Sequence, residues 1–349
     1  MTSLPTSHGQ LPRVSVIVPL LDEVDAISLC VDSFGAQDYP LELVEVLVVD
    51  GGSTDGSRER VEEMASTRPW LRLVANPRRR ISAAFNEGWK AATGDVICLI
   101  GAHSRVGPDY VTRSVRLLTD SHAAGVGGRL NHEGSNPVSR AIGLAMISPF
   151  GMASPFRFST EQRAVDTIGH PAYWRSDMEE IGPFDESLEC NEDYEFNFRL
   201  RQAGKTLLFD PTIVTSYHPR GSLVDLGKQF FRYGRGKADV LRRHPGSLTA
   251  RHLIAPAATA MALAVPLLAI TRHGRRLAGM GMAAYAALLT AALVNSRPWS
   301  NRAQPVVFLA AFPVMHLSWG AGVLWAFAIV SPGPGRVGSR RHSGSTSPD

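Results

Sequence analysis

Carboxylates crowd the segment between Asp185 and Glu195, and two of them, Glu192 and Asp193, are adjacent. An apolar pattern with helical spacing follows, and Gly204 is suited to cap the C-terminal end of that helix. We therefore expect the adjacent pair at a helix start, where backbone N–H groups stabilise an ionised carboxylate. Such a group is what a general base requires, although acidic residues at this position also act as simple caps.

A second acidic segment begins at Asp50, where an apolar run of residues 44–49 ends, and Asp55 follows after two glycines. One interpretation is a glycine turn that caps the next helix. The other is a carboxylate at a strand end that hydrogen-bonds the base or ribose of a nucleotide. The earlier apolar run ends in a Pro-x-x-Asp-Glu pattern from Pro19 to Glu23, which favours the nucleotide.

The elements that must position these residues alternate between short β-branched runs and amphipathic segments. The runs 14–19, 44–50, 71–75 and 95–100 predict buried strands, and 26–37, 57–66 and 81–92 predict helices. This alternation indicates an α/β fold with parallel βαβ units and helices on both faces of the sheet. Ligands of such sheets bind beyond the carboxyl ends of the strands, where Glu23, Asp50 and His103 should converge.

Composition excludes several classes of protein. The chain has no basic run with interleaved aromatic residues, so the sequence does not predict nucleic-acid binding. The three cysteines lack metal-ligand spacing. Residues 1–13 are polar and lack the apolar core of a signal peptide. We therefore expect the N-terminal domain to remain in the cytoplasm. Charged residues make up only 19% of the chain, because the part after about residue 252 is nearly uncharged.

Three apolar segments, 253–271, 277–294 and 306–331, are each about long enough to cross a bilayer. With a cytoplasmic N-terminal domain, three spans would place the arginines at 272–276 outside, against the positive-inside tendency. Two spans plus one shallow segment at 253–271 would place them inside. Both arrangements remain open from the sequence.

Five motifs occur in an order that resembles the family-2 glycosyltransferases of the GT-A fold, and the resemblance covers roughly residues 12–245. The motifs lie at residues 16–23, 48–57, 94–97, 107–110 and 192–195. Within this group the chain is most similar to membrane-attached transferases of the succinoglycan or exopolysaccharide type. The resemblance implies a Rossmann-like mixed sheet flanked by helices, a nucleotide-diphosphate sugar donor, usually a divalent metal, and inversion at the anomeric carbon.

The resemblance also implies roles for individual residues. Asp193 matches the family's general base and Glu192 is its neighbour in that motif, so both are assigned as catalytic. Asp50 should contact the nucleobase and Glu23 the nucleoside. The full set of implied substrate contacts is Pro19, Glu23, Asp50, Asp55, Arg80, Asn86, Gly101, Ala102, Gln229 and Arg232.

The chain departs from the family at the metal site. The family's Asp-x-Asp is replaced here by Gly101-Ala102-His103. We expect His103 and His218 to act as ligands, and imidazole favours Mn²⁺ relative to Mg²⁺. Each histidine also has a purely structural interpretation. If neither binds a metal, arginines must hold the diphosphate.

The expected organisation is a disordered N-terminus (1–12), a GT-A catalytic domain (13–250), a membrane region with two to three transmembrane helices (251–331) and a disordered tail (332–349). The predicted activity is transfer to a lipid-linked or polysaccharide acceptor at the cytoplasmic face of the cell membrane. A catalytically silent, donor-binding scaffold of a polysaccharide assembly complex is the alternative. A nucleotidyltransferase would need a lysine-rich N-terminal phosphate loop, and no lysine precedes Lys90.

Overall fold

The computed structural model describes residues 10–151 and 159–329. The strands are β1 (Val14–Leu20), β2 (Val44–Asp50), β3 (Leu71–Ala75), β4 (Val96–Leu99), β5 (Ser104–Val106), β6 (Gly125–His132), β7 (Arg163–Ala164), β8 (Ala172–Trp174) and β9 (Leu207–Tyr217). The helices are α1 (Val24–Gly35), α2 (Ser57–Ala65), α3 (Ile81–Ala91), α4 (Tyr110–Ser121), α5 (Pro137–Ile147), α6 (Arg175–Ile181), α7 (Glu192–Gln202), α8 (Leu223–Arg243), α9 (Arg251–Leu268), α10 (Arg272–Ser296) and α11 (Pro305–Ile329).

The strands of the described residues form one mixed sheet in the order β3-β2-β1-β4-β8-β6-β9-β5, with β7 paired to β9. The pairs β1–β2, β1–β4 and β2–β3 are parallel, and β8 is antiparallel to both β4 and β6. The α/β prediction and the four N-terminal strands are therefore confirmed. The other half of the sheet, in which β8 is antiparallel to its neighbours and β6 is parallel to β9, was not predicted from the sequence.

Alternate side chains of the parallel strands supply two separate cores, as the period of two in a strand requires. Val14, Val16 and Val18 pack with α1, α2 and α4 on one face. Ile17 packs with α3, α6 and α7 on the other face. Because both faces are covered, these strands read as continuous apolar runs rather than as alternating ones.

A third core joins α5, α8 and α11. Helices α8 and α11 run side by side in the same direction. Two contacts show this: Gly234 lies against the carbonyl oxygen of Trp319, and Arg242, two turns later, donates to the carbonyl oxygen of Ala326. A Cβ built at Gly234 would lie 2.1 Å from the Trp319 oxygen, so the glycine permits this close approach. The C-terminal half of α11 is thus packed along a helix rich in arginine.

Helices α9, α10 and α11 are each long and apolar enough to cross a membrane. They agree closely with the three predicted segments. Their exposure differs. Helices α9 and α10 are almost wholly exposed, whereas α11 is packed between those two helices on one side and α5 and α8 on the other. The parts of the predicted termini at residues 1–9 and 330–349 lie outside the described residues.

Candidate active-site cleft

A cleft of about 700 Å³ opens at the carboxyl ends of the parallel strands. The segments after β1, β2, β3 and β4 contribute Glu23, Gly51, Asn76 and His103 to its wall. The opposite wall is formed by the start of α7 and by α8, and α11 adds one residue. The expected convergence at this edge of the sheet is therefore present, although the Asp50 side chain is not part of the lining.

Glu192 and Asp193 occupy the first turn of α7 and both line the cleft. The preceding Asn191 has a left-handed backbone (φ 63°), and its side-chain amide donates to the carbonyl oxygen of Tyr233 at 3.0 Å. The Cys190 thiol lies 3.2 Å from the carbonyl oxygen of Arg232. These bonds fix the start of α7 against α8, so the acidic pair and the α8 side chains face the same space.

Electrostatics distinguish the two carboxylates. Glu192 is only 6% exposed, and burial together with the neighbouring charge of Asp193 raises its pKa well above the ordinary value of 4.5. Burial therefore favours the neutral form of Glu192. Asp193 is half-buried, and its Oδ1 accepts a hydrogen bond from the backbone N–H of Tyr194 at 2.7 Å. The positive end of α7 stabilises an ionised carboxylate at this position.

Tyr194 ties the acidic pair to the C-terminal helices. Its hydroxyl donates to the carbonyl oxygen of Ser247 at 3.1 Å, and Lys237 Nζ lies 3.7 Å from its ring centroid. Burial, and then the nearby charge of Arg251, lowers the pKa of Lys237 to about 7. Tyr194, the residue beside Asp193, thus contacts α8 and the segment that follows α8. Arg251 at the start of α9 acts electrostatically on the same group of residues.

The two aspartates of the glycine turn support the cleft wall. Asp50 is buried, and its Oδ1 accepts bonds from the backbone N–H and hydroxyl of Ser53 at 3.0 and 2.7 Å. Asp55 accepts from the hydroxyl of Ser57 and from the backbone N–H of Val24 at 3.0 Å. Neither Asp50 nor Asp55 lines the cleft, so a direct contact with the donor requires movement of this turn.

Asn86 and two arginines, Arg78 and Arg80, organise the segment that precedes α7. Asn86 exchanges hydrogen bonds with the backbone of Phe184 at 2.9 and 3.0 Å and donates to Glu186 Oε1 at 2.8 Å. Arg80 donates to the carbonyl oxygen of Glu186, and Arg78 pairs with its carboxylate. Asn86 is buried and does not line the cleft, whereas Arg80 does.

His103 and His218 do not share the cleft. His103 lines it, with Nδ1 3.3 Å from Glu23 Oε1 and its ring packed edge-on against Tyr217. His218 is exposed, does not line the cleft, and places Nδ1 2.7 Å from the carbonyl oxygen of Glu133. A different histidine, His170, lines the cleft instead, with Nδ1 2.9 Å from the Thr215 hydroxyl.

The side chains of the described residues do not by themselves form a site for a divalent cation. No group of three or more His, Cys, Asp or Glu side chains among them is arranged so that it could hold a metal ion. Gly101 offers no side-chain ligand, which leaves Glu23 and His103 as one carboxylate and one imidazole. Mg²⁺ prefers six oxygen ligands, so this pair falls well short of its requirement.

Arginines supply most of the positive charge around the cleft. The arginines among the lining residues are Arg79, Arg80, Arg220 and Arg232. Arg220 was not among the predicted contacts. Arg232 acts electrostatically on Glu192, since its charge lowers the pKa of that carboxyl against the larger effect of burial.

Buried amides complete the polar lining. Gln229 is 6% exposed, and its Nε2 donates to the hydroxyl of Tyr233 at 2.8 Å while its Oε1 has no hydrogen-bond partner among the described residues. Asn76 likewise carries a buried Oδ1 without such a partner. Because an unsatisfied buried acceptor is costly, the two amides mark places where a ligand or water donates a bond. Pro19 and Ala102, both predicted, also line the cleft.

Sequence comparison identifies similar proteins. A family model described as glycosyl transferase family 2 matches residues 15–182. The succinoglycan biosynthesis protein ExoA of Rhizobium meliloti is 31% identical over 313 residues, which cover 88% of this chain and 92% of the relative. The dolichyl N-acetyl-alpha-D-glucosaminyl phosphate 3-beta-D-2,3-diacetamido-2,3-dideoxy-beta-D-glucuronosyltransferase of Methanococcus voltae is 29% identical over 238 residues, covering 66% of this chain and 74% of the relative.

Structural comparison identifies a similar fold. The mannosyltransferase PcManGT from Pyrobaculum calidifontis, solved in complex with GDP-Man and Mn²⁺, superimposes with a TM-score of 0.60. The match covers 91% of this chain and 88% of that protein at 21% sequence identity. The likeness therefore concerns the fold.

Proposed function

Because this chain is a member of glycosyl transferase family 2 with the GT-A fold, and therefore a glycosyltransferase, we propose that it transfers a sugar from a nucleotide-diphosphate donor with inversion. The proposed acceptor is a lipid-linked or polysaccharide hydroxyl at the cytoplasmic face of the membrane, and Asp193 is the proposed general base. The observation that carries the proposal is the position of Asp193, at the positive end of α7 and inside the cleft at the carboxyl ends of the strands.

In the proposed reaction the acceptor hydroxyl attacks the anomeric carbon from the face opposite the diphosphate. The carbon–oxygen bond to the diphosphate breaks, and the nucleoside diphosphate leaves with the electron pair. Asp193 takes the proton from the attacking hydroxyl, which a carboxylate within hydrogen-bond reach does efficiently. The neutral form of Glu192, which burial favours, avoids a second negative charge beside the base.

Charge developing on the leaving diphosphate needs positive partners. The cationic side chains of this cleft are the arginines at 79, 80, 220 and 232. We assign this role to them, and the charge of Arg232 is close enough to Glu192 to lower the pKa of that carboxyl. Glu23 and His103 are the side chains that a cation brought in by the donor would meet.

The donor's nucleoside is proposed to lie between the segment after β1 and the glycine turn after β2. Glu23 and Gly51 line this end of the cleft, and Asp50 supports it from beneath. The buried Oδ1 of Asn76 lies at the same end and accepts no hydrogen bond from the residues that the structure describes. A ribose hydroxyl or base N–H that satisfies this oxygen would gain a bond that the protein leaves unmade.

Two relatives support the acceptor class and the location. The Methanococcus voltae relative is named for a dolichyl-linked sugar phosphate, and the Rhizobium meliloti relative for succinoglycan biosynthesis. Three helices able to cross a membrane follow the catalytic part. We propose a catalytic domain at residues 13–250 and a membrane region at residues 251–331.

The proposal is tested with the full-length protein in lipid nanodiscs. Release of nucleoside diphosphate from a panel of nucleotide sugars is measured with and without a lipid extract from the source cells as acceptor. We expect one donor to be consumed only when lipid is added, with the sugar recovered in the lipid fraction. Tight binding of a donor without consumption of any donor would instead favour a catalytically silent scaffold.

A further inference from the structure

One residue of the candidate membrane helices lies in the catalytic cleft. Trp319 is half-buried, belongs to α11, and lines the cleft that contains Asp193. The helix around it has a mean hydropathy of 1.7 over an 18-residue window and carries few enough charges to cross a membrane. Indole prefers the boundary between apolar and aqueous surroundings. His252, in the first turn of α9, stacks on Trp319, so the cleft reaches the level at which α9 begins.

The position of Trp319 is fixed by its own backbone and by that of its neighbour. The carbonyl oxygen of Trp319 meets Gly234 of α8, where a Cβ would lie 2.1 Å away. Gly320 meets the carbonyl oxygen of Ala255 in α9, where a Cβ would lie 2.5 Å away. The two successive residues thus touch two different helices, α8 and α9, at close range, and these contacts position α11 between them.

A row of aromatic groups connects Trp319 to the general-base segment and to the exterior. His252 of α9 stacks on Trp319, with ring centroids 6.4 Å apart at 27°, and packs edge-on against Tyr194 at 5.9 Å. The next residues of α9, Leu253 and Ile254, are 54% and 66% exposed. An apolar chain placed along these side chains would end at Trp319, beside the cleft.

The cleft side of the same junction is polar. Gln229 and Arg232 of α8 line the cleft with Trp319, and the Gln229 Oε1 has no hydrogen-bond partner among the described residues. A ligand that suits the junction therefore has an apolar chain, an anionic or hydroxyl-bearing head, and a length that joins the two. A free polysaccharide has no part that would match the exposed face of α9.

We propose that Trp319 is the acceptor-binding residue at the membrane edge of the cleft and that the acceptor is lipid-linked, with its chain on α9 at Leu253 and Ile254 and its phosphorylated head beside Arg232. This inference rests on the proposed function and narrows its acceptor to the lipid-linked class. The indole contacts the head group, and the acceptor sugar then extends toward Asp193.

The test is photolabelling of the full-length protein in phosphatidylcholine nanodiscs with a long-chain prenyl diphosphate that carries a benzophenone. We expect Trp319→Ala to reduce labelling about tenfold and Trp319→Phe to retain part of it. The control Trp325→Ala changes a tryptophan on the same helix that packs on Phe231 and does not line the cleft, and we expect it to label like wild type. Thermal midpoints and nucleoside diphosphate binding of all variants should match wild type.

The competition arm separates a lipid site from a diphosphate site. Unlabelled prenyl diphosphate should abolish labelling, and inorganic diphosphate at the same concentration should leave it intact. Equal labelling of Trp319→Ala and wild type, or full competition by inorganic diphosphate, would overturn the proposal. Because labelling needs no turnover, a wild-type protein that binds the donor but is not labelled would refute this inference alone, whereas a donor panel that stays unconsumed would refute the proposed function.

Discussion

The carboxylates of Glu192 and Asp193 are adjacent in the chain, yet the fold gives them opposite surroundings. Glu192 is 6% exposed, and burial and the charge of Asp193 raise its pKa. Asp193 is half-buried at the edge of the cleft and bonded to the N–H of Tyr194. Two carboxylates whose surroundings differ in this way are suited to different roles, and the first two predictions concern them.

Replacing Asp193 with Asn should abolish transfer and leave donor binding nearly unchanged. The amide has the size of the carboxylate but does not accept the acceptor's proton, and loss of a general base typically lowers the rate by about 10²–10⁴. Initial rates and donor dissociation constants are measured side by side. Glu189→Gln, at a cleft carboxylate paired with Arg235, is the matched control and should keep most activity. If Asp193→Asn turned over like the wild type, Asp193 would not be the general base.

Glu192→Gln should stabilise the protein at high pH. A carboxyl with a raised pKa binds its proton more tightly in the folded than in the unfolded chain, so this group lowers stability progressively as pH rises above its ordinary value of 4.5. The variant lacks that penalty. We expect its thermal midpoint to match wild type at about pH 5 and to exceed it by at least about 3 °C at about pH 9. Equal midpoints at both pH values would show that Glu192 is not protonated in the folded state.

The arginines, rather than a tightly held metal, should carry most of the stabilisation of the leaving diphosphate. Arg232→Ala should lower the rate about 10²-fold, as expected for loss of one charge-stabilising donor. Treatment with EDTA should lower the rate by less than about threefold, because the described side chains form no cation site. Rates are measured with EDTA, Mg²⁺ and Mn²⁺ for wild type, Arg232→Ala and His103→Ala. If the wild type is active only with Mn²⁺ and His103→Ala is inactive with Mn²⁺, the metal site expected from the sequence is supported instead.

The glycine contacts between α8 and α11 should be required for stability. Gly234→Ala places a methyl group 2.1 Å from the Trp319 carbonyl oxygen, and Gly322→Ala places one 2.2 Å from that of Phe231. Each should lower the free energy of unfolding by about 1–3 kcal/mol. Gly279→Ala in α10 meets nothing within 4 Å and is the control. Thermal unfolding in one detergent compares them, and an undisturbed Gly234→Ala would mean that the two helices are not packed this closely.

Truncation after Ala250 should not give a freely soluble catalytic domain. It removes α11, against which Leu226 and Phe230 of α8 are buried, and so exposes their apolar side chains. We expect aggregation without detergent, measured by size-exclusion chromatography. If the fragment is instead monodisperse and binds donor without detergent, the catalytic domain is independent of α11 and ends where the apolar composition begins, at about residue 250.

The sequence alone determined the class of fold and the edge of the sheet that carries the site. Fully buried parallel strands must be continuous apolar runs, and strand–helix alternation must bring their carboxyl ends together, so both features are local and readable. The same holds for the start of α7 at Glu192, for which the acidic residues and the capping glycine are sufficient. Length and apolar composition also located α9, α10 and α11 to within a few residues.

Only the tertiary structure decided which side chains enter the cleft. Asn86 matched a donor-side motif, but long-range bonds to Phe184 and Glu186 turn it into the support of the segment before α7. His218 lies outside the cleft, with its Nδ1 beside the carbonyl oxygen of Glu133, whereas the preceding Tyr217 and the distant His170 line it. Trp319 carries no sequence signal at all, since an apolar helix pattern is the same whether a residue faces lipid, protein or substrate. Its place depends on the glycine contacts with α8 and α9, which are interactions between residues far apart in the chain.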